Sequence, residues 1–216
     1  MKDNRHLGFF SGFPDHSFPD KIAERLGQEI ILRDNLVFVS AWPQDHKRND
    51  SDSTGMHGMF EKCGLPFAKH YVIDTRTDNN IAKQFIHDAS CIFLMGGYPK
   101  LQMQLIKEKE LDSIICNTST TILGVSAGAI NMAKHSLDTK ESIFPYKGLG
   151  LADITIKPHF NIDDQQELST LLQVSNEIPI YATEDDSAIF VAGEHLTYIG
   201  NIYIINNGDI VSKIVN

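Results

Sequence analysis

The chain has 216 residues, of which 42% are hydrophobic and 22% are charged, and its formal net charge is −9 at pH 7. This length and composition are typical of one well-buried globular domain, so residues 1–216 are expected to form a single domain. The negative charge argues against a nucleic-acid-binding surface and against attachment to an anionic membrane.

Predicted strands and helices alternate along the first two thirds of the chain. Short apolar and β-branched runs predict buried strands at residues 36–39, 68–73, 91–95 and 120–123. Apolar spacing and helix-tolerant composition predict helices at residues 54–63, 79–87, 101–115 and 127–134. The polar segment at residues 44–53, which is rich in Asp and Ser, is predicted to form a loop.

The last third of the chain has a different pattern. Short strands are predicted at residues 154–156, 179–182, 189–191, 196–199 and 202–205. A helix is predicted at residues 165–174, and Asn207-Gly208 is typical of a hairpin turn. The β-α-β-α order predicts an α/β fold with a mostly parallel sheet flanked by helices on both faces. The C-terminal strands are expected to join one end of that sheet as antiparallel strands, without forming a separate domain.

The cysteines and the apolar runs indicate where the protein resides. Cys63, Cys91 and Cys116 lack C-x-x-C spacing, and a small odd set is typical of reduced thiols in a cytosol. The first apolar patch is broken by Gly12 and Pro14, which leaves it too short for the apolar core of a signal peptide. No later run approaches membrane-spanning length. We therefore expect a cytoplasmic protein.

The segment Gly124-Val125-Ser126-Ala127-Gly128 places a serine between a predicted strand and a predicted helix. A strand-to-helix elbow needs small residues on both sides of its serine, so that the hydroxyl stands clear at the top of the sheet. The N–H of Ala127 would then lie at a helix N-terminus, where it could stabilise an oxyanion. The same pentapeptide also fits an ordinary tight turn with a capping serine, because so short a motif is common by chance.

A serine nucleophile needs a base and an acid, and the sequence offers candidates at predicted strand ends. His159 is one of nine histidines and follows a proline at the end of a strand, where clefts form in open α/β sheets. The acidic run at residues 184–186 also follows a strand, and Glu141 is a competing carboxylate. Gly97 ends another strand, and its N–H could be a second oxyanion donor beside that of Ala127.

The order of three motifs resembles the peptidase E family of serine peptidases, which includes aspartyl dipeptidase and, more distantly, cyanophycinase. The motifs are Gly96-Gly97, the elbow with its G-x-S-A-G-A sequence at residues 124–129, and the P-H-F sequence at residues 158–160. The resemblance spans residues 38–190 and implies an α/β sandwich related to class I glutamine amidotransferases, with serine in place of their cysteine.

The resemblance also implies a role for each candidate residue. Ser126 would be the nucleophile, His159 the general base, and Gly97 and Ala127 the oxyanion donors. Residues 182–189 fit the family's acidic segment without a gap and put Asp185 in the acidic position, with Glu184 and Glu141 as alternatives. The expected function is therefore the hydrolysis of short peptides, as in a dipeptidase, through a Ser-His-acid triad and an acyl-enzyme.

Three departures from the family's pattern bear on specificity. Family members tend to carry glutamate where this chain has Asp185, and Asn-Thr where it has Tyr98-Pro99. Aspartyl dipeptidases carry an arginine-bearing loop after the P-H-F motif, whereas residues 161–167 are acidic and contain no arginine. An acidic loop repels an anionic side chain, which argues against specificity for an N-terminal aspartate.

Two other classes of function compete with a serine peptidase. The altered glycine turn and the missing arginine loop would also suit a non-catalytic binding or regulatory protein of the same fold. A metal-dependent hydrolase could use His159 with the acidic run, but no histidine pair has the H-E-x-x-H spacing. We therefore expect no metal and no cofactor, a short peptide as the substrate, and a monomer or homodimer.

Overall fold

A computed structural model describes residues 5–215 as helices and strands in the order of an α/β protein. The strands are β1 (His6–Phe10), β2 (Asn35–Ala41), β3 (Lys69–Ile73), β4 (Cys91–Gly97), β5 (Thr121–Val125), β6 (His135–Ser136), β7 (Tyr146–Lys147), β8 (Ile156–Lys157), β9 (Ile180–Thr183), β10 (Ala188–Ala192), β11 (His195–Ile199), β12 (Asn201–Asn206) and β13 (Asp209–Val215). The helices are α1 (Asp20–Glu29), α2 (His46–Lys62), α3 (Asn79–His87), α4 (Pro99–Glu108), α5 (Asp112–Asn117), α6 (Ala127–Met132) and α7 (Gln165–Val174). None of the helices in this part of the chain is long and apolar enough to cross a membrane.

The central sheet has seven strands in the order β11-β10-β1-β5-β4-β2-β3. Strands β1, β5, β4, β2 and β3 are parallel, whereas β10 and β11 are antiparallel additions at one end. The predicted α/β fold with a mostly parallel sheet and antiparallel C-terminal strands is confirmed.

Helices cover both faces of this sheet. Alternate residues of each strand point to opposite faces, so each strand contributes side chains to two separate cores. In β2, Val37 and Val39 pack into the core under α3, α4, α5 and α6. Leu36 and Phe38 pack into the other core, under α1 and α2. All four side chains are fully buried, which is why the strand reads as a continuous apolar run.

The C-terminal strands divide between two sheets, which corrects the expectation that they all join one. Strands β10 and β11 extend the central sheet, but β13, β12, β9 and β8 form a separate sheet of four strands. Helix α7 packs on this small sheet and encloses a third apolar core, with Leu171 of the helix against Ile180, Tyr203 and Ile205. The segment between β9 and β10 connects the two sheets and lies at the functional site.

Several predicted boundaries in the first two thirds of the chain are wrong. Residues 46–53 belong to α2, because the side chain of Asp45 accepts a hydrogen bond from the N–H of Arg48 and caps the helix. The helix predicted at residues 101–115 is two helices, α4 and α5, separated by Glu110 at a φ of 55°. The helix after the elbow ends at Met132, since Ala133 is extended and bridges to Ala152.

Strand β1 lies inside the central sheet. Its residues belong to the apolar patch that Gly12 and Pro14 interrupt, and no strand was predicted there. It pairs with β5 on one side and with β10 on the other. Its residues Phe9 and Phe10 are fully buried on opposite faces of the sheet. Both of its neighbours come from distant parts of the chain, β5 from residues 121–125 and β10 from residues 188–192.

Candidate active site

Parallel strands bring their carboxyl ends to one edge of the central sheet, and the candidate residues collect there. Gly97 ends β4, Ser126 follows β5, and Ser11 follows β1, which is the neighbour of β5. The small sheet contributes from its own edge. Its parallel neighbours β8 and β9 are followed two residues later by His159 and Asp185.

Ser126 occupies a strained elbow between β5 and α6. Its φ of 51° and ψ of −110° lie outside the regions that residues with a side chain ordinarily adopt, at a cost of about 1–3 kcal/mol. Its N–H donates to the carbonyl of Phe10 over 3.0 Å, which anchors the elbow to β1. The hydroxyl makes no capping bond to α6. The elbow therefore holds the serine side chain away from its own helix, unlike a capping serine.

Small residues around the elbow allow α6 to pack directly on the sheet. A Cβ on Gly128 would lie 2.0 Å from the carbonyl oxygen of Leu94, and one on Gly124 would lie 2.5 Å from the sulfur of Met132. The two glycines of the pentapeptide are therefore required by close approach of the helix to β4 and β5.

His159 bridges the serine to a carboxylate. Its Nε2 lies 2.9 Å from the Ser126 hydroxyl, and its Nδ1 lies 2.7 Å from Oδ1 of Asp185. The backbone at His159 has a φ of 58°, and its N–H donates to the hydroxyl of Ser11 over 2.7 Å. In the tautomer that fits this geometry, Nδ1–H donates to the aspartate and Nε2 accepts from the serine. The structure thus joins the serine, histidine and aspartate in one hydrogen-bonded chain.

The two other candidate carboxylates lie elsewhere. Glu184 accepts hydrogen bonds from the side chains of Asn201 at 2.7 Å and Tyr203 at 3.0 Å. Glu141 forms an ion pair with Lys100 at 3.2 Å. Of the three, Asp185 is the one that contacts the imidazole, because successive residues after β9 point to opposite sides of the chain.

Negative charge is concentrated around Asp186, the residue that follows Asp185. Burial, together with the carboxylates of Asp15 and Asp185, raises the pKa of Asp186 above its ordinary value. The side chains of His159 and Asp185 are 42% and 39% exposed, so solvent and substrate can reach them.

Gly97 and Ala127 line the same cleft as Ser126. Gly97 has a φ of 141°, a conformation that favours glycine. A Cβ there would lie 2.4 Å from the indole nitrogen of Trp42, which packs directly behind it. Ala127 is the first residue of α6, so its N–H has no intrahelical acceptor.

Ser11 and Gly12 belong to the site, although the sequence analysis did not single them out as site residues. The Ser11 hydroxyl accepts from the N–H of His159 and lies 3.0 Å from the Thr183 carbonyl and 3.2 Å from Asp185 Oδ1. The carbonyl of Gly12 accepts from the N–H of Asp186 over 2.8 Å. Ser11 and Gly12 directly follow strand β1, so a correct prediction of that strand at residues 6–10 would have indicated both as candidate site residues.

Replacing Gly12 with alanine is expected to reduce any hydrolytic activity by about 100-fold or more, because a small misplacement of reacting groups is costly. The added Cβ would lie 2.6 Å from both Asp185 Oδ1 and His159 Cε1, so one of them must shift. Activity and thermal unfolding of Gly12→Ala should be measured beside Gly27→Ala, whose Cβ would make an ordinary 3.6 Å contact. Full activity in Gly12→Ala would contradict the described geometry.

The cleft at Ser126 has a volume of about 480 Å³, within the range of small-ligand sites. The Asp, Glu and Lys residues that line it are Asp138, Lys140, Glu141, Lys157, Asp164 and Glu167. Lys157 is buried and pairs with Glu167 at 2.9 Å, and Glu141 pairs with Lys100. Acidic groups therefore outnumber basic ones in the cleft.

Within residues 5–215, no group of three or more His, Cys, Asp and Glu side chains is arranged to hold a metal ion. The three cysteines in this part of the chain form no disulfide. Burial raises the pKa of the Cys91 thiol far above its ordinary value, so this cysteine stays protonated and unreactive.

Comparison with known families identifies the family to which the chain belongs. The sequence model described as peptidase family S51 matches residues 35–199, which is most of the chain. The chain belongs to peptidase family S51, a family of serine peptidases, and is therefore a serine-type hydrolase. This confirms the resemblance to the peptidase E family drawn from the three motifs.

Two solved structures have the same fold. A peptidase from an acI-B1 actinobacterium is 14% identical, with a TM-score of 0.69 and coverage of 98% of this chain and 94% of the other. A candidate peptidase E from Listeria monocytogenes EGD-e is 18% identical, with a TM-score of 0.66 and coverage of 90% and 98% respectively. No curated protein sequence matches the chain. At these identities the structural likeness concerns the fold alone.

Proposed function

We propose that the protein hydrolyses short peptides through an acyl-enzyme on Ser126, with His159 as general base and Asp185 as the orienting acid. The observation that carries this proposal is the chain of two short hydrogen bonds, 2.9 Å from Ser126 to His159 and 2.7 Å from His159 to Asp185. A positioned base that accepts the hydroxyl proton is what turns a serine into a nucleophile.

The reaction proceeds in two halves. Ser126 Oγ attacks the peptide carbonyl carbon while Nε2 of His159 takes its proton, and the imidazolium is stabilised by the carboxylate of Asp185. His159 then gives that proton to the leaving amine, and the C–N bond breaks to leave an ester on Ser126. In the second half, His159 takes a proton from water while the hydroxide adds to the ester carbonyl carbon. His159 then returns that proton to Ser126 Oγ as the C–Oγ bond breaks, which releases the acid product and restores the free enzyme.

The N–H groups of Gly97 and Ala127 would stabilise the oxyanion that forms in each half. Both residues line the cleft beside Ser126, and the positive φ of Gly97 together with Trp42 behind it restricts that turn. Donors held in place before the reaction cost no reorganisation during it, and removing one typically reduces kcat about 100- to 1,000-fold.

The charge of the cleft supports a substrate with a free amino terminus. Asp138 and Asp164 line the cleft, and within residues 5–215 neither forms a side-chain ion pair. Their carboxylates complement the ammonium group of a short peptide and repel an acidic side chain. A dipeptidase-like activity on substrates other than those with an N-terminal aspartate follows from this polarity.

Labelling with a fluorophosphonate probe tests the proposal directly. The probe phosphonylates an activated serine, so one equivalent is expected to attach to Ser126, as read by intact mass and peptide mapping. Hydrolysis of a dipeptide panel by the same sample should be lost in step with labelling. A protein that neither reacts with the probe nor cleaves any dipeptide would be a non-catalytic member of the family, contrary to the proposal.

A further inference from the structure

A second pocket adjoins the elbow from the opposite face of the central sheet, under α2. Its volume is about 520 Å³, comparable with that of the cleft that contains His159. Its lining comes from the β1–α1 loop, from α2 and from the ends of β4 and β5.

This pocket, termed here the methionine pocket, lies next to the nucleophile. Gly96 and Val125 line it, and their immediate neighbours Gly97 and Ser126 line the other cleft. A Cβ on Gly96 would lie 3.6 Å from the Cβ of Ser126. The elbow therefore forms a ridge with one cleft on each side.

The floor of the methionine pocket is apolar. Phe93 is fully buried, Met59 and Met95 are buried, and Met56 and Val125 pack partly buried against the same core. Unbranched thioether side chains adapt their shape to different apolar groups. The floor thus suits a large apolar side chain, aliphatic or aromatic, and offers little to a small or charged one.

The rim of the pocket carries excess positive charge. Arg48 and Lys62 lie there with His16, against the single carboxylate of Asp52. Arg48 pairs with Asp52 at 3.2 Å, and its guanidinium also lies 4.2 Å above the ring of Trp42. Because the charges of Arg48 and Asp52 cancel, the remaining charge of Lys62 makes the rim net positive. The cleft that contains His159 has the opposite sign of charge.

Gly55 keeps the pocket open. It lies in the middle of α2, where glycine is less favourable than alanine, yet a Cβ there would meet no atom within 4 Å. The space beside it belongs to the pocket, because Gly55 is one of its lining residues. Gly58, one turn further along, has equally open surroundings but does not line the pocket.

We propose that the methionine pocket binds the C-terminal residue of a short peptide substrate, with a large apolar side chain on the floor and the free carboxylate at the basic rim. The amino terminus of the same peptide would lie across the ridge, in the acidic cleft. The opposite charges of the two clefts match the two ends of a zwitterionic dipeptide. This inference rests on the proposed function, since it takes Ser126 as the point of cleavage between the clefts.

Binding to the Ser126→Ala protein tests the pocket without hydrolysis. By calorimetry, alanyl-phenylalanine should bind about tenfold or more tightly than alanyl-glycine, because it buries far more apolar surface. It should also bind about tenfold more tightly than alanyl-phenylalanine amide, which lacks the carboxylate. Equal affinities for all three peptides, or no binding of alanyl-phenylalanine, would overturn the proposal.

A matched pair of variants tests the location. When Gly55→Leu is added to Ser126→Ala, the leucine side chain fills the pocket. The affinity for alanyl-phenylalanine should fall about tenfold, whereas the affinity for alanyl-glycine should stay within about twofold. Gly58→Leu adds the same side chain to the same helix and should leave both affinities unchanged. Equal losses in the two variants, or none in Gly55→Leu, would contradict the pocket assignment.

The same samples separate this inference from the proposed function. Selective binding by Ser126→Ala together with no dipeptide hydrolysis by the unmodified protein would keep the pocket and refute the serine mechanism. Hydrolysis that is insensitive to both the C-terminal residue and Gly55→Leu would keep the mechanism and refute the pocket.

Discussion

Ser126→Ala is expected to abolish peptide hydrolysis, with a loss of about 10⁴- to 10⁶-fold in kcat. Without the hydroxyl there is no atom to form the acyl-enzyme, and the oxyanion donors alone retain only a small fraction of the rate. The fold should be unaffected, because the hydroxyl bonds His159 and makes no capping bond to α6. Initial rates on a dipeptide and circular dichroism measure the two effects.

The control for this variant is Ser113→Ala. Ser113 is exposed on α5 and lies away from both clefts, so its rate and stability should equal those of the unmodified protein. A Ser126→Ala protein that retained more than about a hundredth of the rate would contradict nucleophilic catalysis by this serine.

Asp185→Asn is expected to reduce kcat by about 10³- to 10⁴-fold while leaving the fold intact. The amide keeps the size of the carboxylate but removes its charge, so it cannot stabilise the imidazolium of His159. If its NH₂ faces the ring, it also favours the tautomer with the proton on Nε2, which cannot accept from Ser126. The effect should fall on kcat. When Asp185→Asn is added to the Ser126→Ala protein, the affinity of that protein for the peptide should remain unchanged.

Glu184→Gln is the matched comparison, since it makes the same chemical change one residue away. A glutamine can still accept from the Asn201 amide through its one oxygen and can donate its NH₂ to the hydroxyl oxygen of Tyr203, so activity within about twofold of the unmodified protein is expected. If Glu184→Gln lost as much activity as Asp185→Asn, the acidic role would belong to the segment rather than to Asp185.

The parts of the fold that were predictable are those set by local pattern. Buried parallel strands such as β2 and β4 are continuous apolar runs, and the predicted bounds of α3 and α7 are confirmed. The start of α2 was missed because its first turns are polar, including the buried Asn49 and Ser53, and an aspartate cap is the main local signal. The separate small sheet was missed because strand pairing depends on contacts between distant segments.

The residues of the candidate site likewise include some that a local motif predicts and one that depends on long-range contacts. The elbow at Ser126, the glycine at position 97 and the histidine at position 159 stand in recognisable local motifs, in a specific order. The choice among Asp185, Glu184 and Glu141 could not be made from the sequence, because one residue along an extended segment reverses the direction of a side chain. The folded chain makes that choice by directing Asp185 towards the imidazole.

The α/β class, the family resemblance and the strand-to-helix elbow at Ser126 could all be predicted from the sequence, because each follows from residue types at short spacing. Three features became visible once the chain was folded: the carboxylate that contacts His159, the contacts of Ser11 and Gly12 with His159 and its neighbouring carboxylates, and the two clefts of different charge beside Ser126. Those features are distances between side chains that lie far apart in the chain, and they exist once β1, β5 and the small sheet are packed together.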